Sequence, residues 1–239
     1  MTSSLVFISG ASSGIGLAMA RSVPWPDARV IDISRRGAKG LVHHAADLAD
    51  PAAWPGVRSL FAREVKGFDG ERVVFVHSAG SIEPMGFAGE VDALAYTRQV
   101  LLNAAAPQVL GEAFLAAARD TSAACFLLNI GSGAACNPYR GWSAYCAGKA
   151  AMDHWVRTVG AEQGERGGAQ VLSIAPGIVA TAMQEQIRAT DAEDFPDADR
   201  FRALHRDGAL RAPDDAALDL WASIDRNLPN GSVVDLRDA

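Results

Sequence analysis

Tyr145 and Lys149 stand one helical turn apart in Tyr145-Cys146-Ala147-Gly148-Lys149, so both project from the same face of a helix. A free phenol ionises near pH ~10, and an ammonium one turn away favours the phenolate, which brings proton exchange toward neutral pH. Ser132 lies thirteen residues before Tyr145, just past the apolar run Phe126–Ile130. In an open α/β sheet the carboxyl end of a strand is where ligands sit, so a hydroxyl there can hold a carbonyl oxygen beside the phenol. Neither feature is specific alone: the Tyr/Lys spacing is common, and a serine between Gly131 and Gly133 is an ordinary turn residue.

A third feature joins them. Ser9-Gly10-Ala11-Ser12-Ser13-Gly14-Ile15-Gly16 links a first apolar strand to a helix. Gly10 permits the tight turn, Gly14 lets backbone approach a pyrophosphate, and Gly16 allows close helix–strand packing; Ser12, Ser13 and Ile15 complete the loop, and the helix start supplies free N–H groups and positive dipole. The pattern predicts a dinucleotide site. Its preference is set where the second strand ends, in Asp32-Ile33-Ser34-Arg35-Arg36. With Ser34 at the terminal position no carboxylate repels a 2′-phosphate, and Arg35 follows to pair with it, which favours NADP(H) over NAD(H). Asp32 is the competing signal, because a strand end two residues earlier turns its carboxylate toward the ribose. Asp47 and Leu48, after a weak third strand, are candidates to cap the adenine, although Asp47 also suits a local turn before Pro51.

The elements that must position these groups are readable as alternation. Apolar runs Leu5–Ser9, Arg29–Ser34, Leu41–Ala45, Arg72–Ser78, Ala124–Ile130, Gln170–Ala175 and Ser232–Leu236 predict strands, the third being the weakest. Between them lie helical patterns at Gly14–Ser22, Pro51–Val65, Ala93–Ala118 (with a break expected near Asn103–Pro107), Ser143–Glu165 and Pro213–Ile224. Such alternation implies right-handed βαβ crossovers and a mostly parallel sheet covered on both faces. The polar, irregular stretch 183–210 is too long for an ordinary connection and is expected to be an inserted lid, the alternative being a solvated surface excursion with short helices. No repeat or linker divides the 239 residues, so 1–239 is read as one domain.

Composition narrows the function. At 49% hydrophobic and 21% charged, the chain is globular rather than disordered. Its 28 acidic residues outnumber 22 basic ones, which argues against nucleic acid as a partner. Cys125, Cys136 and Cys146 form no C-x-x-C pair, so neither a disulfide framework nor a metal site is expected. The start lacks a basic leader region, and no uninterrupted apolar run reaches the ~18 residues of a membrane helix. A cytoplasmic protein without membrane association is the expectation.

Taken together the motifs resemble the short-chain dehydrogenase/reductase family over nearly the whole chain. Its glycine motif matches Gly10, Gly14 and Gly16; its catalytic asparagine, serine, tyrosine and lysine match Asn103, Ser132, Tyr145 and Lys149; its Asn-Asn-Ala-Gly matches His77-Ser78-Ala79-Gly80; and its Pro-Gly turn with threonine matches Pro176, Gly177 and Thr181. The resemblance implies one Rossmann-type, doubly wound parallel sheet of about seven strands. It makes Tyr145 the general acid in reduction, Ser132 the carbonyl anchor, Lys149 the ligand of the nicotinamide ribose and tuner of Tyr145, and Asn103 the anchor of a water on the proton path. Ala79 and Gly80 leave room for the adenosine side, and Ile178 and Thr181 contact the nicotinamide. His77 and Ser78 depart from the family pattern, and His77 reads as a structural substitute rather than an extra base. The residues after the Pro-Gly turn, together with Asn103-Ala104-Ala105-Ala106-Pro107 and the ending Val233–Asp238, look like the benzil reductase and sepiapterin reductase branch. That implies NADPH-dependent reduction of one ketone of a vicinal dicarbonyl, in a pocket walled by Trp142, Tyr139, Met183, Phe195 and Phe201. A homodimer or homotetramer is also implied, through the helix after the fourth strand and the Ser143–Glu165 helix. Two other readings compete: an alcohol or polyol dehydrogenase, and a nucleotide-sensing module without chemistry, which predicts gaps at Ser132, Tyr145 or Lys149 that the sequence does not have.

Overall fold

The computed structural model describes residues 3–238. Among these, seven strands form one sheet: β1 (Ser4–Ser9), β2 (Arg29–Ser34), β3 (Val42–Ala45), β4 (Arg72–His77), β5 (Ala124–Ile130), β6 (Gln170–Ala175) and β7 (Val233–Asp235). They are hydrogen-bonded in the order β3-β2-β1-β4-β5-β6-β7, every pair parallel. The winding reverses between β1 and β4, which opens a crevice at their carboxyl ends.

Both faces are buried, which is why the strands read as continuous apolar runs rather than alternating ones. Phe7 and Phe75 face α2 (Trp54–Val65) and α4 (Ala106–Ala118), packing with Phe61 and Phe114 at ring separations of 4.9–5.8 Å. Val6, Ile8, Val74 and Val76 face α1 (Gly14–Arg21) and α8 (Pro213–Ala222). There the Trp221 indole N–H donates to the Met19 carbonyl at 3.0 Å, tying α8 to α1. The helix α5 (Ser143–Arg166) lies on the α4 side and carries the Tyr/Lys pair.

Two expected features take a different form. The helix over Ala93–Ala118 does not break; α3 (Ala93–Val100) continues through a π-turn at Leu101–Ala105 into α4. Pro107 has no N–H to offer the Asn103 carbonyl, and the wider turn absorbs that loss without ending the helix. This 26-residue stretch is apolar and long enough to cross a membrane by composition, yet Leu110 and Phe114 of α4 are fully buried against the sheet, as in a core helix. The expected lid is largely helical, built from α6 (Ala182–Ala189) and α7 (Ala198–Arg206), whose Ile187, Phe195, Ala198 and Phe201 bury against Trp142 and Tyr145 in a third apolar cluster.

Candidate active site

A cleft of about 1060 Å³ runs along the carboxyl ends of the strands. At its floor Gly10 adopts φ +73°, and a β-carbon there would lie 3.0 Å from the Ala79 backbone, so glycine is required on both counts. Ser12, Ser13, Gly14 and Ile15 line the cleft. Ser13 caps α1 with extended backbone and no side-chain hydrogen bond, and the first turn carries no acid, so the helix start is open to an anion. Gly16 does not line the cleft. It lies behind the loop, where a β-carbon would come within 2.4 Å of the Gly10 carbonyl oxygen; its part is packing, not ligand contact.

Ser34, Arg35, Asp47 and Leu48 line one end. Asp32, by contrast, is fully buried and accepts a hydrogen bond from the Ser34 hydroxyl at 3.0 Å, off the cleft surface. Arg35 has no carboxylate within ion-pair distance among the described residues. Asp47 is engaged: Arg98 from α3 donates to it at 2.6 Å and the Ala49 N–H at 3.1 Å. Those donors and the nearby Arg35 hold its carboxyl below the ordinary range against a desolvation that raises it. Nothing local foretold Arg98, whose partner is 51 residues upstream.

At the other end Ser132, Tyr145 and Lys149 line the cleft together with Pro176, Gly177, Ile178 and Thr181, and Ala79 and Gly80 lie between the two ends. Tyr145 and Lys149 are both nearly buried, with the Lys149 nitrogen 5.8 Å from the phenol ring centre. The expectation that Lys149 lowers the Tyr145 phenol meets a stronger opposing effect. Burial raises the phenol above its usual value, and the adjacent Ser132 hydroxyl is what pulls it back. Lys149 donates to the Ile130 carbonyl at 2.7 Å, and burial brings its ammonium down to about 8.

Asn103 is buried beneath this group rather than in the cleft wall. Its side chain clamps Ser81, accepting from the Ser81 N–H at 3.0 Å and donating to the Ser81 carbonyl at 2.7 Å. Its backbone abuts α5 at Gly148, where a β-carbon would lie 2.8 Å from the Asn103 β-carbon. The Asn103 side chain is thus engaged by Ser81, and Pro107, four residues on, has no N–H for the Asn103 main-chain carbonyl.

His77 sits in β4 at 2% exposure. The Ser9 hydroxyl accepts from the Ser78 and Ala79 N–H groups at 3.1 Å each, so its own proton goes to His77 Nδ1, 3.1 Å away. That assigns the imidazole proton to Nε2. Burial, with a smaller contribution from Lys149, lowers this imidazole to about 3, so it is neutral at working pH and serves as a brace.

The far wall contains Tyr139, Trp142, Met183 and Phe201, together with Met85 and Arg237, which sequence reasoning did not single out. Phe195 is a correction: it is fully buried and lies flat behind Trp142, ring centres 4.3 Å apart, so it backs the wall rather than forming it. Arg237 donates to Asp235 at 2.9 and 2.5 Å and comes within 3.0 Å of the β-carbon position of Gly133 and 3.4 Å of that of Gly177. The cleft thus joins an anion-accepting helix start and an unpaired arginine at one end to a buried phenol, hydroxyl and ammonium at the other. That is a fit for a nicotinamide dinucleotide beside a carbonyl or alcohol.

Residues 4–192 match the sequence profile described as short chain dehydrogenase. A benzil reductase ((S)-benzoin forming) of Bacillus subtilis (strain 168) is 34% identical over 242 residues, covering 98% of each chain. A sepiapterin reductase of Mus musculus is 30% identical, covering 85% of this chain and 84% of its own. The crystal structure of the KRED1-Pglu enzyme superposes with a TM-score of 0.80 at 28% identity, covering 97% of this chain and all of the other.

Proposed function

This chain belongs to the short-chain dehydrogenase family and is an oxidoreductase of carbonyl and alcohol groups; from that premise we propose that it is an NADPH-dependent carbonyl reductase acting on one ketone of a vicinal diketone or a similar small apolar or aromatic carbonyl compound. The observation that carries the reading is the convergence of Ser132, Tyr145 and Lys149 at the aromatic end of the cleft, in a chain that aligns with benzil reductase from end to end. When bound, the reduced dinucleotide supplies the hydride. Tyr145 donates its phenolic proton to the carbonyl oxygen, and Ser132 hydrogen-bonds that oxygen and orients it. Lys149 holds the nicotinamide ribose and stabilises the phenolate left behind, and Asn103 continues the proton path through its carbonyl. Tyr139, Trp142, Met183 and Phe201 shape an apolar wall that excludes water.

The phosphate preference is supported by the cleft chemistry: Ser34 and an unpaired Arg35 face it, the Asp32 carboxylate is turned away, and Asp47 is neutralised by Arg98. The buried Asp32 also weighs against the polyol dehydrogenase reading, whose support was a carboxylate on the ribose. We take the chain as one domain, cytoplasmic, and a homodimer or homotetramer. The deciding assay mixes purified protein with NADPH or NADH and benzil, other diketones, pterins, quinones and simple ketones, read at the reduced-nicotinamide absorbance. Rapid turnover of benzil with NADPH and slow turnover with NADH is expected; activity confined to alcohols with NAD would replace this reading.

A further inference from the structure

We propose that Asp153 is a positioning residue for the proton-transfer centre: pinned to β6 by Ser173, its carboxylate holds the buried Lys149 one turn away in the ammonium form. The proposal rests on the reading of Tyr145 and Lys149 as the working pair. The Ser173 hydroxyl donates to Asp153 Oδ1 at 2.6 Å, and Asp153 is 3% exposed. Asp153 follows Lys149 by four residues on α5, which places both on one helix face. The Lys149 nitrogen has one recorded hydrogen bond among the described residues, to the neutral Ile130 carbonyl, and a buried ammonium without a counter-charge is costly.

Among the described residues Lys149 makes no direct ion pair, and Asp153, four residues on, is the carboxylate whose charge acts on it from beyond that distance. From α5 come Tyr145 and Asp153, with Arg157 one further turn along. From β4 comes the neutral His77. β5 contributes the neutral Ile130 carbonyl that Lys149 bonds, and β6 the uncharged Ser173 that bonds Asp153. Desolvation pulls the Lys149 ammonium down to about 8 while Asp153 acts in the opposite direction. The Ser173 hydroxyl, Lys149 and Arg157 in turn counter the desolvation that raises the Asp153 carboxyl. Nothing ties Asp153 to the reacting atoms, so its influence passes through Lys149.

The experiment compares Asp153→Asn, Asp153→Ser, Asp153→Glu and Ser173→Ala in the full chain, measuring kcat/KM for carbonyl reduction from pH 6 to 9 alongside urea unfolding. Asp153→Asn keeps an oxygen for the Ser173 hydroxyl and removes only the charge. The upper inflection of its profile should move down by about one pH unit, so that the rate falls about fivefold at pH 8, about ninefold at pH 9 and less than about twofold at pH 6. Asp153→Ser should move it the same way, and Asp153→Glu should restore it. Ser173→Ala should unfold at lower urea and move the inflection down by less than Asp153→Asn does, because the carboxylate loses its anchor but keeps its charge. A profile parallel to wild type in either uncharged variant, or an equal inflection shift in Ser173→Ala, overturns the proposal. Tyr145→Phe, assayed alongside, separates the two ideas: a dead Tyr145→Phe with an unmoved Asp153→Asn profile rejects the role of Asp153 alone, whereas an active Tyr145→Phe rejects the underlying pair.

Discussion

Under the proposed mechanism Tyr145 is the proton donor: burial raises its phenol, which keeps it protonated, and the Ser132 hydroxyl opposes that shift and eases release. Tyr145→Phe should lower kcat by about a thousandfold while dinucleotide affinity, measured by fluorescence titration, stays within about threefold. His77 carries a pH prediction of its own. Its imidazole titrates at about 3 in the folded chain and near the ordinary value of 6.5 when unfolded. Between those values the unfolded chain binds the extra proton, so stability present above pH 6.5 is lost as pH falls toward 3. The urea midpoint of His77→Asn should decline less steeply with acid than wild type across that window. At this scale the sequence was legible wherever chemistry and spacing were local, as in the glycine loop and the Tyr145/Lys149 turn. It was silent on Arg98 facing Asp47 and on Asp153 facing Ser173, since those pairings exist only once distant elements are brought together.

The strands and most helices were legible because a sheet buried on both faces demands continuous apolar runs, and a helix beneath it demands a stripe. Two elements were only partly legible, for physical reasons. The irregularity near Asn103–Pro107 reads as a break, whereas the helix passes through it in a π-turn at Leu101–Ala105 that accommodates the missing N–H of Pro107. The lid reads as irregular because α6 and α7 are short and polar, and α7 commits only Ala198, Phe201 and part of Leu204 to the apolar cluster. Phe195, in the turn between α6 and α7, fixes that lid by stacking on Trp142. Phe195→Ala should cost about 3–5 kcal/mol of stability in urea melts. It should also raise KM for the carbonyl substrate severalfold, with dinucleotide affinity unchanged, because the wall loses its backing while the glycine loop is untouched.

Across the whole molecule the cleft has two chemically distinct ends, one suited to a phosphate and one to a carbonyl, held on a common sheet. Their independence is testable at the phosphate end. Arg35→Ala should weaken NADPH binding by about 1–3 kcal/mol and leave NADH nearly unchanged. An equal loss for both would place the phosphate contact elsewhere. Sedimentation equilibrium should return two or four chain masses, in keeping with the proposed assembly.

The edge strand β7 pairs through only three residues, and just beyond it Arg237 reaches the loops of Gly133 and Gly177. Fraying of so short a margin need not disturb the aromatic interior, yet it would loosen the seat of the Ser132 loop. Catalysis should therefore fade in mild denaturant before the fluorescence of the tryptophans reports any loss of structure, making turnover the earlier sentinel of stress in this chain.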